Sequence, residues 1–173
     1  MTSNGFEKFY GYPKNTSWIK VFLFAYVYGG LFVFAAVVLT KLADPETSGA
    51  VIAALSGRGV NDAFVYAALS LVLWLTFVVC GIFLPLIDKK AYWTTMVHLA
   101  ALALYRPVLV LATWLAAGSG GLPRTFLLRS AVLFAVELVF AAVNAAYFSR
   151  RKELFTSSLT ELVMDESDPK PRF

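Results

Sequence analysis

Residues 91–149 read AYWTTMVHLAALALYRPVLVLATWLAAGSGGLPRTFLLRSAVLFAVELVFAAVNAAYFS. Two apolar runs, 91–117 and 125–149, flank a Gly-rich hairpin at 118–123. Each run is long enough to cross about 30 Å of hydrocarbon, which takes about 20 helical residues. Each also carries one charge at its middle, Arg106 in the first and Glu137 in the second. Arg106 lies 11 residues before the first run ends, and Glu137 lies 12 residues after the second begins. At about 1.5 Å of rise per residue, the two charges reach nearly the same depth on an antiparallel pair. His98 and Asn144, each 19 residues from the hairpin side of its run, make a second matched rung. The pattern predicts two membrane helices joined by a tight turn, with a polar seam between them.

Two further runs precede this pair. Between Lys20 and Lys41 there are 20 uncharged residues, and no charge occurs from Ala63 to Ile87. The expected fold is therefore all-α, an integral membrane four-helix bundle with spans at about 18–42, 63–87, 91–117 and 125–149. Composition agrees: the 173 residues are 59% hydrophobic and 15% charged, where soluble domains are closer to half and a quarter. The four spans and their tails use up the length, so one domain suffices. The net charge of +4 sits at helix ends. It reports orientation and excludes a nucleic-acid surface, which needs a basic soluble face. The single cysteine, Cys80, and single histidine, His98, exclude an internal disulfide and multi-His or Cys/His metal motifs. No GxSxG, HExxH, P-loop or dinucleotide fingerprint occurs, so no enzyme chemistry and no cofactor are expected.

In chain order, residues 1–17 alternate aromatic residues with lysines and read as an interfacial arm. Trp18 anchors the first span, and Gly29–Gly30 near its centre permit close helix approach. Asp44, Pro45 and Glu46 start a short interfacial helix at about 45–56, stopped by Gly57 and followed by Arg58. Asn61 or Asp62 caps the second span. Trp74 near its middle reads as packing, and Pro85 bends its end. Asp88-Lys89-Lys90 forms a turn, with Tyr92 and Trp93 as interfacial anchors. The fourth span leaves the membrane through Tyr147, Arg150, Arg151 and Lys152. The tail at 150–173 offers a capping box, Ser158 with Glu161, and is expected to lose order after Asp165. Lys and Arg number ten on the side of the termini and the 88–90 turn, against four opposite, which predicts cytoplasmic termini.

The seam is the candidate site. An ionised side chain at mid-bilayer costs about 2.5–3.5 kcal/mol on insertion scales, a cost that pairing Arg106 with Glu137 largely removes. Ser130, Glu137 and Asn144 follow a seven-residue repeat on one face of the fourth span. His98, Tyr105 and Thr113 share a stripe on the third, with Arg106 at its edge. Pro107 frees the Ala103 carbonyl one turn back, an added acceptor beside the guanidinium. Such a pair either fixes helix register as a static contact or lines a polar cavity for a proton, an ion or an anionic headgroup. Contact with another subunit's charge is a third arrangement. Ala131/Ala135, Ala141/Ala145 and Ala142/Ala146 place small residues at four-residue spacing, which serves helix packing within or between chains.

The close of the last span, Asn144-Ala-Ala-Tyr147-Phe148-Ser-Arg150-Arg151-Lys152-Glu-Leu-Phe155, resembles that of several families of small bacterial four-helix membrane proteins of unknown function. The resemblance implies a bacterial inner-membrane protein and carries over no binding or catalytic residue. The leading expectation is a non-catalytic membrane subunit of a complex or homo-oligomer. Its partners would be the bilayer and another membrane protein or a second copy. The alternative is a small transporter or ion pathway using Arg106, Glu137 and His98. A third is an intramembrane lipid, quinone or haem binder; haem would need a second axial ligand from a partner.

Overall fold

The computed structural model describes residues 17–57, 61–117 and 121–156. Within them the chain is helical, and four helices are long and apolar enough to cross a membrane. α1 is Ser17–Ala43 and α2 is Pro45–Leu55. α3 is Asp62–Phe83, α4 is Lys89–Ala117, α5 is Arg124–Arg150, and α6 is Lys152–Thr156. The interfacial arm before Ser17, Arg58, the glycines at 118 and 120, and the Ser158–Glu161 box lie outside the described residues.

Local chemistry sets the helix ends. Asp44 accepts the Thr47 N–H at 3.2 Å and the Thr47 hydroxyl at 2.9 Å, with Pro45 in the first turn of α2. Gly57 follows α2 with φ +72°, a left-handed stop that glycine adopts without strain. Asn61 caps α3 by accepting the Phe64 N–H at 3.0 Å. At its far end α3 tightens into a 3₁₀ turn, Leu84–Leu86, around Pro85. Ile87 then takes a left-handed φ of 44°, and Asp88 caps α4 through the Ala91 N–H at 2.7 Å.

The bundle is closed at the end holding Ser17, the 84–90 turn and α6, and opens toward the α4–α5 hairpin. At the closed end α1 meets α5 through Phe22, whose ring lies 5.1 Å from that of Phe148. Phe148 continues to Phe155 at 6.0 Å, and Phe155 to Tyr92 at 6.0 Å. α5 does not run on past Lys152 as a single rod. It breaks at Arg151, and α6 folds back to bury Leu154 and Phe155. Tyr92 is consequently not a lipid-facing anchor. It is buried under α6, with Lys152 over its ring, while Trp93 beside it is exposed. At the hairpin end α1 buries no residue from Gly29 onward, and on α5 only Ser130 is buried before Ala141.

Two features of α1 depart from a plain span. Phe22–Tyr28 is wound as π-helix, with i→i+5 bonding. Of the two central glycines, only Gly30 is a close contact: a Cβ there would meet the Phe77 ring within 2.8 Å, while Gly29 has open space. Trp74 packs inside the bundle and donates its indole N–H to the Leu31 carbonyl at 3.2 Å.

Candidate functional site

α4 distributes its polar side chains to two neighbours. Successive residues on a helix point about 100° apart. Tyr105 therefore turns toward α3 while Arg106 turns toward α5. On the α3 side three polar contacts cross: Ser70 with Tyr105 at 3.1 Å, Thr76 with His98 at 2.9 Å, and Cys80 with Thr95 at 3.7 Å. On the α5 side there is one, Arg106 Nε–H donating to Glu137 Oε1 at 2.9 Å.

His98 is fully enclosed and its hydrogen bonds fix its tautomer. The Thr76 hydroxyl donates to the Leu73 carbonyl at 2.7 Å, so it accepts from His98 Nδ1–H. His98 Nε2 then accepts from the Tyr26 hydroxyl at 3.0 Å. Every polar atom in this relay has a partner, and the Phe77 ring closes it edge-on at 4.4 Å. The relay joins α1, α3 and α4, and it is reached from the π-helical turn of α1. His98 does not meet Asn144. Asn144 accepts the Trp18 indole N–H at 3.0 Å and donates to the Phe140 carbonyl at 2.9 Å, tying α5 to α1. The matched rung of His98 and Asn144 is thus not formed: the two side chains meet different partners, His98 on α3 and α1 and Asn144 on α1 near its start.

Arg106 and Glu137 do come together, and the contact is incomplete. The guanidinium uses only Nε, and its terminal amino groups meet no acceptor among the described residues. Glu137 Oε2 is enclosed without a partner. About a fifth of each side chain stays open, 21% for Arg106 and 18% for Glu137. The ring of Tyr105 lies 5.2 Å from the guanidinium carbon, a cation–π contact on its flank.

Arg106 forms one end of a groove of about 610 Å³ between α4 and α5 on the hairpin side. Its wall is apolar, with Val110, Leu111 and Trp114 facing Leu127 and Phe134. Ser130, buried on α5, is the second polar side chain that lines it. Thr113 is half-buried on α4 and does not line the groove. Compared with protein-family models, curated proteins and solved structures, the chain finds no match. The site's own geometry is what bears on function. No group of three or more His, Cys, Asp or Glu occurs among the described residues at metal-binding distance.

The anchors at the closed end differ in kind. Trp18 is 43% exposed with its N–H committed to Asn144, and its ring meets Tyr147 at 6.3 Å. Arg151 stacks on Tyr147 with 4.3 Å to the ring centroid, and Arg150 and Lys152 are exposed. The π-helical turn, the buried tyrosine relay and the groove are the features that sequence reasoning missed. Tyr26 sits in an apolar run of unbroken α-helical spacing, which gives no signal for its role.

Proposed function

We propose that the protein is a non-catalytic integral membrane subunit that holds a carbonyl-bearing amphiphile between α4 and α5, with its polar head at Arg106. The carrying observation is the guanidinium itself. It lines a groove whose only other polar side chain among the described residues is Ser130, and its terminal amino groups have no protein acceptor among the described residues. An N–H donor left bare in hydrocarbon costs several kcal/mol, so an acceptor must come from outside the described chain. Charge narrows the choice. Arg106 and Glu137 cancel, so an anionic head would leave net negative charge at mid-bilayer, whereas a neutral carbonyl leaves none. The apolar wall from Val110 to Trp114 suits a long tail. Quinones and acylglycerols share this chemistry.

A proton or ion pathway has less support. His98 is closed within Tyr26, Thr76 and Leu73, and Asn144 within Trp18 and Phe140, so neither continues a polar route from Arg106. The subunit part of the proposal rests on α5. Its outward side exposes Val132, Val136, Val139 and Val143 beside Ala135 and Ala142, a surface for another membrane protein or a second copy. The lysine and arginine excess supports a cytoplasmic closed end, and the likeness of the α5 exit to small bacterial proteins favours an inner membrane.

Trp114 in the groove wall supplies the test. Decylubiquinone carries a carbonyl head on an apolar tail and quenches indole fluorescence. Added to detergent-solubilised protein, it should quench the emission saturably, and the saturable part should vanish in Trp114→Phe and in Arg106→Leu/Glu137→Leu. Bromododecane, a quencher without a carbonyl, should show only linear partitioning. Equal linear quenching by both reagents in all three proteins would refute the proposal.

A further inference from the structure

A second groove, on the opposite flank of α4, has a different chemistry. Two cavities lie between α3 and α4 and share Trp93 and Thr94. The outer one, about 620 Å³, is bordered by Asp88, Lys89 and Lys90 at the closed end. The inner one, about 380 Å³, runs between Val72, Leu75 and Val79 of α3 and Val97 of α4. Val97 lies eight residues along α4 from Lys89, about 12 Å deeper at helical rise. Together they form one channel, cationic at headgroup depth and apolar below. Trp93, 54% exposed, stands at the junction where an amphipathic ring favours the interface.

The placement of the lysines is the second observation. Lys89 and Lys90 are the first two residues of α4, a 29-residue helix with no acidic residue in its first turn. Positive charge there opposes the helix dipole, whose N-terminal end favours anions. Asp88 offsets part of this, but its Oδ1 already accepts the Ala91 N–H at 2.7 Å. Both lysines are exposed, so each ammonium is free to meet a headgroup. A phosphate beside them satisfies the lysines and the helix end at once, and an acyl chain beneath it fills the valine-lined part.

We infer that the α3–α4 channel is a binding site for one acidic phospholipid, its phosphate at Lys89 and Lys90 and one acyl chain along Val72, Val79 and Val97. This site is independent of the Arg106 groove, from which α4 separates it.

The test is native mass spectrometry of the full chain, delipidated in detergent and titrated with phosphatidylglycerol or phosphatidylcholine. One phosphatidylglycerol should bind per protein, at least tenfold more tightly than phosphatidylcholine. Lys89→Gln/Lys90→Gln should remove that preference. Val79→Trp, which fills the apolar part at a lipid-facing position, should weaken phosphatidylglycerol by a similar factor with both lysines intact. Equal binding of the two lipids, several bound lipids without saturation, or unchanged preference in the lysine variant would overturn the inference. So would competition by free glycerol phosphate at equal concentration, since the site would then recognise a soluble phosphate. Trp114 quenching by decylubiquinone should be unaffected in the lysine and Val79 variants, so failure here and failure of the Arg106 groove are read separately.

Discussion

Removing Arg106 alone should harm this protein more than removing Arg106 and Glu137 together. In Arg106→Leu, Glu137 loses the donor at 2.9 Å, and its other oxygen is already without a partner. The carboxylate must then stay charged and unpaired near the bilayer centre, or take up a proton. Insertion scales put an unpaired mid-membrane charge at about 2.5–3.5 kcal/mol, and breaking buried pairs costs about 3–5 kcal/mol. Here the side chains remain 21% and 18% open, so the lower end applies and we expect about 2–3 kcal/mol for either single leucine variant. Arg106→Leu/Glu137→Leu removes both charges and adds apolar surface, and should lie within about 1 kcal/mol of the parent. The coupling from the full cycle is then at least about 3 kcal/mol in magnitude. Unfolding in mixed micelles titrated with sodium dodecyl sulfate measures each corner. The buried single thiol, Cys80, provides an independent readout through its rate of labelling by a maleimide dye. Additive losses, with the double variant as poor as the sum of the singles, would refute the argument that the two charges exist in the membrane only as a pair.

Other outcomes follow from named contacts. Gly30→Ala should destabilise by about 1–3 kcal/mol because its Cβ meets the enclosed Phe77 ring. Gly29→Ala, with open space, should be neutral or gain up to about 1 kcal/mol by helix propensity; similar effects of the two in the dodecyl sulfate titration would contradict the packing described. Tyr26→Phe should cost about 1–3 kcal/mol, since His98 Nε2 is left enclosed without its donor, and should leave decylubiquinone quenching of Trp114 unchanged. Phe155→Ala should cost about 2–4 kcal/mol and expose Tyr92, detectable as faster proteolysis after Arg151 and faster Cys80 labelling. The Asp44 carboxyl is held below its ordinary value of 3.8, first by the Thr47 hydroxyl and then by the Thr47 N–H. A depressed acid stabilises fully above its ordinary value and stops doing so as pH falls through the lowered one. Protection of the Thr47 amide, followed by hydrogen exchange and corrected for intrinsic rate, should therefore hold from about pH 7 to about pH 5; a loss within that window would show that the carboxyl does not cap α2.

The four spans were legible because hydropathy and length act along one dimension, and uncharged runs such as 63–87 leave little choice in lipid. The Arg106–Glu137 contact was legible for a similar reason. Depth in an antiparallel hairpin is arithmetic in residue number, and mid-membrane charges demand partners. Azimuth was not legible. The repeat placed His98, Tyr105 and Arg106 within one seam, yet a rotation of about 100° sends the first two to α3 and the third to α5. A single sequence gives which residues share a face, not which helix that face meets. Nor did it reveal that α1 would supply both Trp18 to Asn144 and Tyr26 to His98. Tyr26 sits among apolar neighbours at ordinary helical spacing, and Trp18, between Ser17 and Lys20, reads as an interfacial anchor. The return of α6 was hidden because Leu154 and Phe155 follow three basic residues, which read as a helix leaving the membrane.

The polar groups divide by whether they are finished. On the α3 face of α4, the central donor and acceptor, Tyr26 and His98, are matched inside the protein, and the aromatic cluster of Phe22, Tyr26, Phe77 and Phe140 surrounds them. A satisfied network of this kind, shielded from water, rigidifies the helices that contribute to it. On the α5 face the pair is left with donors and one acceptor to spare, at the end where α1 leans on α3 and buries none of its own residues. A protein that needed only register between α4 and α5 would gain by completing that pair or by replacing it with leucines. Keeping an incomplete charge pair beside an open apolar groove is a cost without structural return. It is the arrangement expected where a ligand supplies the missing partner, held against helices that the α3 face keeps still.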